Sequence, residues 1–83
     1  MDWIARTTKQ LGTSIRRYRR QKNLTQAELG NLMKARQATV SKLERGEPAT
    51  QIVTLMNALA ALDLELTIRP RTKVSASEIE KLF

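Results

Sequence analysis

"LTQAELGNLMKARQATVSKLERG", residues 24 to 46, decides the fold of this 83-residue chain. Leu29, Leu32 and Met33 give its first part an apolar side at helical spacing. Thr25 followed three residues later by Glu28 reads as a capping box, in which each side chain accepts a backbone N–H of the other's residue across the first turn. The pattern stops near Lys34. Val40 and Leu43 then anchor another short helix from about Gln37 to Arg45, which Gly46 ends at the position after the cap. Only Lys34-Ala35-Arg36 separates the two. The second helix of this pair opens on Arg36, Gln37, Ala38 and Thr39, polar or small residues on an element that already has an apolar side to bury.

On the N-terminal side, Leu11, Ile15 and Tyr18 recur at i, i+4 and i+7 among Arg16, Arg17, Arg19 and Arg20, which predicts an amphipathic first helix over roughly Thr8 to Lys22. After a Glu47-Pro48 turn, Ile52, Leu55, Met56, Leu59 and Leu62 predict a fourth helix, Gln51 to Leu62. The period then changes to two. Leu64, Leu66 and Ile68 alternate with Glu65, Thr67 and Arg69 until Pro70 closes the run, which is a single strand with no other strand in the chain to pair with. Unpaired backbone groups need partners, and the same strand of a second copy about a two-fold axis supplies them. The alternative is a tail laid along its own monomer.

The expected fold is therefore mostly α: a compact domain of four to five helices plus one C-terminal β-strand that forms an intersubunit two-stranded sheet in a homodimer. Residues 1–7 read as an N-terminal flap, with Trp3 and Ile4 packed on the core, residues 8–62 as the helical domain, 63–70 as the dimerisation strand and 71–83 as a flexible tail. That tail ends "SEIEKLF", where Ile79, Leu82 and Phe83 form one apolar side of a short helical turn. It is either a fraying end or a docking peptide for a partner.

A chain of this length buries a modest share of its surface, and dimerisation is the expected staple. It contains no cysteine and no histidine, which removes disulfides, thiolate and imidazole metal sites, cysteine nucleophiles and histidine acid–base chemistry. An enzyme is not expected, nor a cofactor. The chain starts Met1-Asp2-Trp3 without a signal-like segment, and its longest apolar run is Ala58 to Leu62, so it reads as cytoplasmic, with no membrane association. Charge is segregated. Residues 1–45 carry eleven basic against three acidic side chains, a net +8, while residues 46–83 carry four against five, a net −1. The first part is built to meet a polyanion.

The two central helices and their three-residue connection have the lengths and spacing of a helix-turn-helix, in which the second helix enters the DNA major groove with its N-terminal residues at the base edges. This accounts for the polar opening of that helix. Gln37 can present its amide to adenine, Ala38 and the Thr39 methyl can touch a thymine methyl, and Arg36, Ser41 and Lys42 can reach base edges or flanking phosphates. Thr25 and Gln26, at the start of the preceding helix, are placed for a phosphate oxygen, as is Arg45. RNA binding is disfavoured, because one Trp, one Tyr and one Phe make no stacking platform.

The stretch "LGTSIRRYRRQKNLTQAELGNLMKARQATVSKLERG" resembles the Xre family of helix-turn-helix domains, the group of the phage Cro and repressor proteins, through its "LTQ-x-x-L" and "Q-x-T-[VI]-S-x-[LIF]-E-x-G" signatures. The likeness runs from Leu11 to about Leu62. Within that family, the "LAALDLELTIRP" ending and the short "TTKQLG" start resemble the HipB-like antitoxins, which dimerise through a two-stranded sheet and bind a HipA-like kinase toxin. The resemblance implies DNA contacts at Gln26, Arg36, Gln37, Ala38, Thr39, Ser41 and Lys42, a dimer interface at Leu64, Leu66 and Ile68, and a structural ion pair between Arg19 and Glu44.

Three positions depart from the family pattern. Lys34 stands where a glycine is usual and Arg36 where a Ser or Thr N-cap is usual, so a strained turn and a weakly capped helix are expected; Gly30 replaces the commoner alanine. The implied function is a homodimeric repressor on a palindromic operator of double-stranded DNA. Its partner would be a HipA-like Ser/Thr kinase toxin; a solitary regulator without a toxin fits the helix-turn-helix equally well.

Overall fold

The computed structural model describes residues 3–71, which form four helices: α1 (Thr8–Gln21), α2 (Gln26–Met33), α3 (Gln37–Glu44) and α4 (Ile52–Ala61). The capping box forms as written. The Thr25 hydroxyl accepts the Glu28 N–H at 3.0 Å, and the Glu28 carboxylate accepts the Thr25 N–H at 2.9 Å. At α1 the Thr7 hydroxyl caps the Gln10 N–H at 3.0 Å, a signal the sequence reading passed over.

All four helices end by the same device. A residue at or just after each cap, Asn23, Lys34, Gly46 and Asp63, lies in the left-handed region at φ of 57°, 57°, 75° and 59°. One residue further on, an N–H returns to the carbonyl five positions back: Leu24 to Arg19, Ala35 to Gly30, Glu47 to Lys42 and Leu64 to Leu59, at 2.7–3.2 Å. This is the Schellman closure, and it normally brings the residue after the left-handed one onto the helix it has just left. Leu24, Ala35 and Leu64 accordingly pack against the core. Only one of the four left-handed positions is glycine, so the other three each hold a side chain in a conformation that L-residues disfavour.

The core takes Ile15 from α1, Leu29 and Met33 from α2, Val40 and Leu43 from α3, and Ala58 and Leu62 from α4 and its cap. α1 crosses the end of α3 at Gly12, where a Cβ would stand 2.5 Å from the Glu44 carbonyl oxygen. A side chain of any size would drive the helices apart. Gly30 meets the turn less closely, with a Cβ position 2.9 Å from the Ala35 carbonyl oxygen, so here the departure from alanine lets the chain fold tightly back between α2 and α3.

Three expectations are modified. Residues 64–71 hold no strand, and no strand occurs among the described residues. The physical reason lies in the sequence: a lone strand has no ladder partner within one chain. Leu64 reaches the core, whereas Leu66 and Ile68 are 52% and 93% exposed. Trp3 and Ile4 do not pack on the core; Trp3 lies against the outer side of α1, with the Arg17 guanidinium 4.3 Å from its ring centroid, a cation–π contact. The apolar side predicted for α4 is only partly internal, since Ala58, Leu59 and Leu62 are buried and Ile52 and Met56 face outward. Ile79, Leu82 and Phe83 lie outside the described residues.

Candidate nucleic-acid interface

Three buried residues of α3, Val40, Leu43 and Glu44, fix which way the helix faces. With its inner side set, helical geometry turns Ala38, Lys42 and Arg45 directly outward, with Gln37 and Ser41 on one flank and Thr39 on the other. Arg36, Gln37, Ala38, Lys42 and Arg45 are exposed, and Thr39 and Ser41 are half-buried. The base-edge candidates thus cover the outward side of α3 and both its flanks. Arg36 occupies the N-cap with extended backbone, and its side chain makes no capping hydrogen bond. The orphan N–H groups at the start of α3 are left to whatever meets that end.

Lys34 closes α2 at φ 57° without the glycine that this conformation favours. The N–H of Ala35 donates to the Gly30 carbonyl at 2.8 Å, which holds the three-residue turn tight despite the side chain.

Behind the exposed surface sits a polar joint. Arg19 Nε donates to Glu44 Oε2 at 2.6 Å and Arg19 Nη2 to Glu44 Oε1 at 3.0 Å, a two-pronged ion pair between α1 and α3 whose side chains are only 10% and 3% exposed. Arg19 Nη1 donates to the Leu24 carbonyl at 2.7 Å, and Gln26 Nε2 donates to Glu44 Oε1 at 3.2 Å. The Arg19–Glu44 pair therefore ties α1, the loop after it, α2 and α3 together. No buried side-chain nitrogen or oxygen among the described residues lacks a partner.

Gln26 belongs to this joint, which sequence reasoning did not foresee. Its amide is turned inward to Glu44, so one amide N–H is committed and the rest of the group is held in a fixed direction. The Thr25 hydroxyl accepts from Glu28 and keeps its own O–H to donate, while the backbone N–H groups of Gln26 and Ala27 have no partner within the first turn. Arg45 lies back along α3, donating from Nη1 to Ser41 Oγ at 3.1 Å with Nη2 3.7 Å from Glu47 Oε1. That exposed contact is weak and does not fix the side chain.

Two short helices at a tight turn, with the second displayed by a buried ion pair and an apolar anchor, define a helix-turn-helix domain. The chain belongs to the helix-turn-helix domain family, whose model matches residues 4–71. Among solved structures it is similar to HipB in a variant HipB–O2 20-mer complex, at 29% identity over 87% of this chain and 100% of that one, with a TM-score of 0.79. It is also similar to the HipB chain of a HipB–O4 20-mer complex, at 28% identity, the same coverage and a TM-score of 0.78. A matching chain from a HipA–HipB–O2–O3 complex gives 28% identity, the same coverage and a TM-score of 0.77. A search of curated proteins gives no match. None of the described helices is long and apolar enough to cross a membrane.

Proposed function

We propose that this protein is a homodimeric, sequence-specific DNA-binding repressor that acts as the HipB-like antitoxin of a HipA-like Ser/Thr kinase and autoregulates its own operon. One observation carries the reading: the uncapped, exposed start of α3, held outward by the buried Arg19–Glu44 joint within a first half of net charge +8. Structures similar over their whole length include HipB in complexes with the O2 and O4 20-mers and a chain of a HipA–HipB–O2–O3 complex.

In this reading α3 lies in the major groove. Gln37 takes the adenine edge, Ala38 and Thr39 a thymine methyl, and Arg36, Ser41 and Lys42 neighbouring edges. Thr25, the fixed Gln26 amide and Arg45 meet phosphates and set the register. The N–H groups opening α2 favour an anion there. Residues 63–70 pair with a second copy through Leu64, Leu66 and Ile68, residues 1–7 remain a flap, and the 71–83 tail offers Ile79, Leu82 and Phe83 to the kinase. A two-fold dimer then requires a palindrome with half-sites one helical turn, about 34–36 Å, or a multiple apart.

Fluorescence anisotropy on the protein's own promoter fragment and on a scrambled duplex, across a salt series, tests the DNA reading. Preference for the promoter with steep loss of affinity in salt supports it. Equal affinity for both duplexes at moderate salt sinks it. Pull-down of the tagged protein after DNA digestion tests the partner: a stoichiometric kinase establishes the antitoxin role, and recovery of the dimer alone assigns the chain to the alternative, a solitary regulator.

A further inference from the structure

Serine and threonine inside a helix commonly turn the hydroxyl hydrogen back onto a carbonyl of the preceding turn. Thr13 and Ser14 of α1 do so, donating to the Lys9 and Gln10 carbonyls at 3.0 Å each. Ser41 of α3 does not. Its Oγ accepts a bond from Arg45 Nη1 at 3.1 Å, and its hydrogen goes to no group among the described residues. A hydroxyl has one hydrogen to give and two lone pairs with which to accept. With a guanidinium on one lone pair, the hydrogen is turned away from Arg45, and the positive charge beside the oxygen disfavours a second N–H. Ser41 is thereby made a donor toward whatever α3 meets. Without Arg45 the same hydroxyl could give or accept.

We infer that Arg45 determines base preference through Ser41: it sets the serine as a donor, so that the base against Ser41 must offer an acceptor. In the major groove guanine N7 and O6, adenine N7 and thymine O4 offer one, whereas cytosine presents only its N4 amino group, a donor. Arg45 touches no base here and is a positioning residue. Its two nitrogens suit it to two tasks. Nη1 lies on Ser41, one helical turn back, while Nη2 stands 3.7 Å from Glu47 Oε1, an exposed contact that is easily given up. Exchange of that carboxylate for a phosphate oxygen leaves Nη1 in place. One guanidinium then joins a backbone phosphate to the hydroxyl that reads a base, and the loss of water around Ser41 as α3 enters the groove strengthens the bond between them. The inference rests on the DNA reading of the proposed function, in which Ser41 meets a base edge and Arg45 a phosphate, and makes the first contact depend on the second.

Competition anisotropy of the full chain on its own promoter fragment, with each base pair in turn replaced by the other three, tests it. Ser41→Ala locates the position that the serine reads, by relaxing preference there. At that position the weakest of the four pairs for the wild type should be a G·C pair, in the orientation that turns cytosine to Ser41, about tenfold below the best. Arg45→Ala should weaken every duplex by a common factor and, at that position alone, also cut the tenfold discrimination to about threefold or less. The double variant Ser41→Ala/Arg45→Ala should relax preference no further than Ser41→Ala, since the two residues act as a unit. Ser41 is half-buried and Arg45 exposed, so the variants should keep the helical circular dichroism of the wild type. Arg45→Ala that lowers all affinities and leaves every base preference intact overturns the inference. So does a weakest pair of A·T type at the Ser41 position, or a Ser41→Ala chain whose preferences are all unchanged. The DNA reading survives each of these results. A wild type that binds every substituted duplex equally removes both.

Discussion

Removing one member of the Arg19–Glu44 pair should cost far more than removing both. Glu44→Leu leaves a guanidinium that is nine-tenths buried with one carbonyl, that of Leu24, to pair with; Arg19→Met leaves a carboxylate 3% exposed with only the neutral Gln26 amide. Stranding a buried charge in this way costs about 3–5 kcal/mol. An 83-residue fold has a total stability of about 4–12 kcal/mol, so either single variant should lose a large share of it and, at the low end of that range, unfold. The double variant Arg19→Met/Glu44→Leu strands no charge. It leaves the Leu24 carbonyl and the Gln26 amide, both on half-buried residues from which water can be reached, and should lose under about 2 kcal/mol. Urea unfolding followed by far-ultraviolet circular dichroism, at one fixed chain concentration because a dimer's stability depends on it, gives the three values. A double variant that loses as much as the two single losses combined would refute the reasoning, since the residues would then be stabilising the fold independently.

Lys34→Gly should raise stability by about 1 kcal/mol, seen as a higher urea midpoint, because it relieves a left-handed residue; a lower midpoint would show that the lysine side chain supports the turn. Gly12→Ala should lose about 1–3 kcal/mol despite alanine's better helix propensity, because the added methyl meets the Glu44 carbonyl; an unchanged melting temperature would mean that α1 and α3 can separate freely. Gln37→Ala should cost about 1–3 kcal/mol of operator affinity and relax preference at one base pair, whereas Lys42→Ala, if it meets only phosphate, should weaken all duplexes alike and lower the salt slope by about 1. Deleting residues 75–83 should spare DNA binding and weaken kinase binding; equal kinase affinity in the truncated chain removes the tail's docking role.

What could be read ahead of the structure followed the range of the interactions involved. The capping box and the left-handed glycine after α3 are written within a few residues of each other, so the bounds of α2 and α3 were legible from Thr25, Glu28 and Gly46. Gln26 was not, because its partner Glu44 lies eighteen positions away and nothing local distinguishes an amide turned inward from one offered to solvent. Trp3 misled for a related reason: an aromatic ring suggests burial, but an arginine one element away gave it a surface contact instead. In α4 the apolar period was sound while its meaning was incomplete. Periodicity puts Ile52 and Met56 on an apolar side of the helix; it does not say that this side is buried, and in the structure both are exposed. The expected strand shows the same limit: the alternation at Leu64, Leu66 and Ile68 suggests a pairing edge, yet residues 64–71 form no strand in the single chain.

The repeated closure that ends all four helices also bears on how fast the chain folds. Each helix is turned back within a few residues by contacts it makes with its own last turn, so the loops to be closed are short and inexpensive in entropy. Helices of this length form in about a microsecond or less, and small helical domains dominated by near neighbours in sequence fold in microseconds to milliseconds. Encounter between two copies depends on concentration and is slow when few copies are present. A newly made chain therefore forms its helices and their turns before it meets a second copy, so that in the homodimer proposed above the abundance of the protein, not the closing of its loops, sets the delay before dimers accumulate.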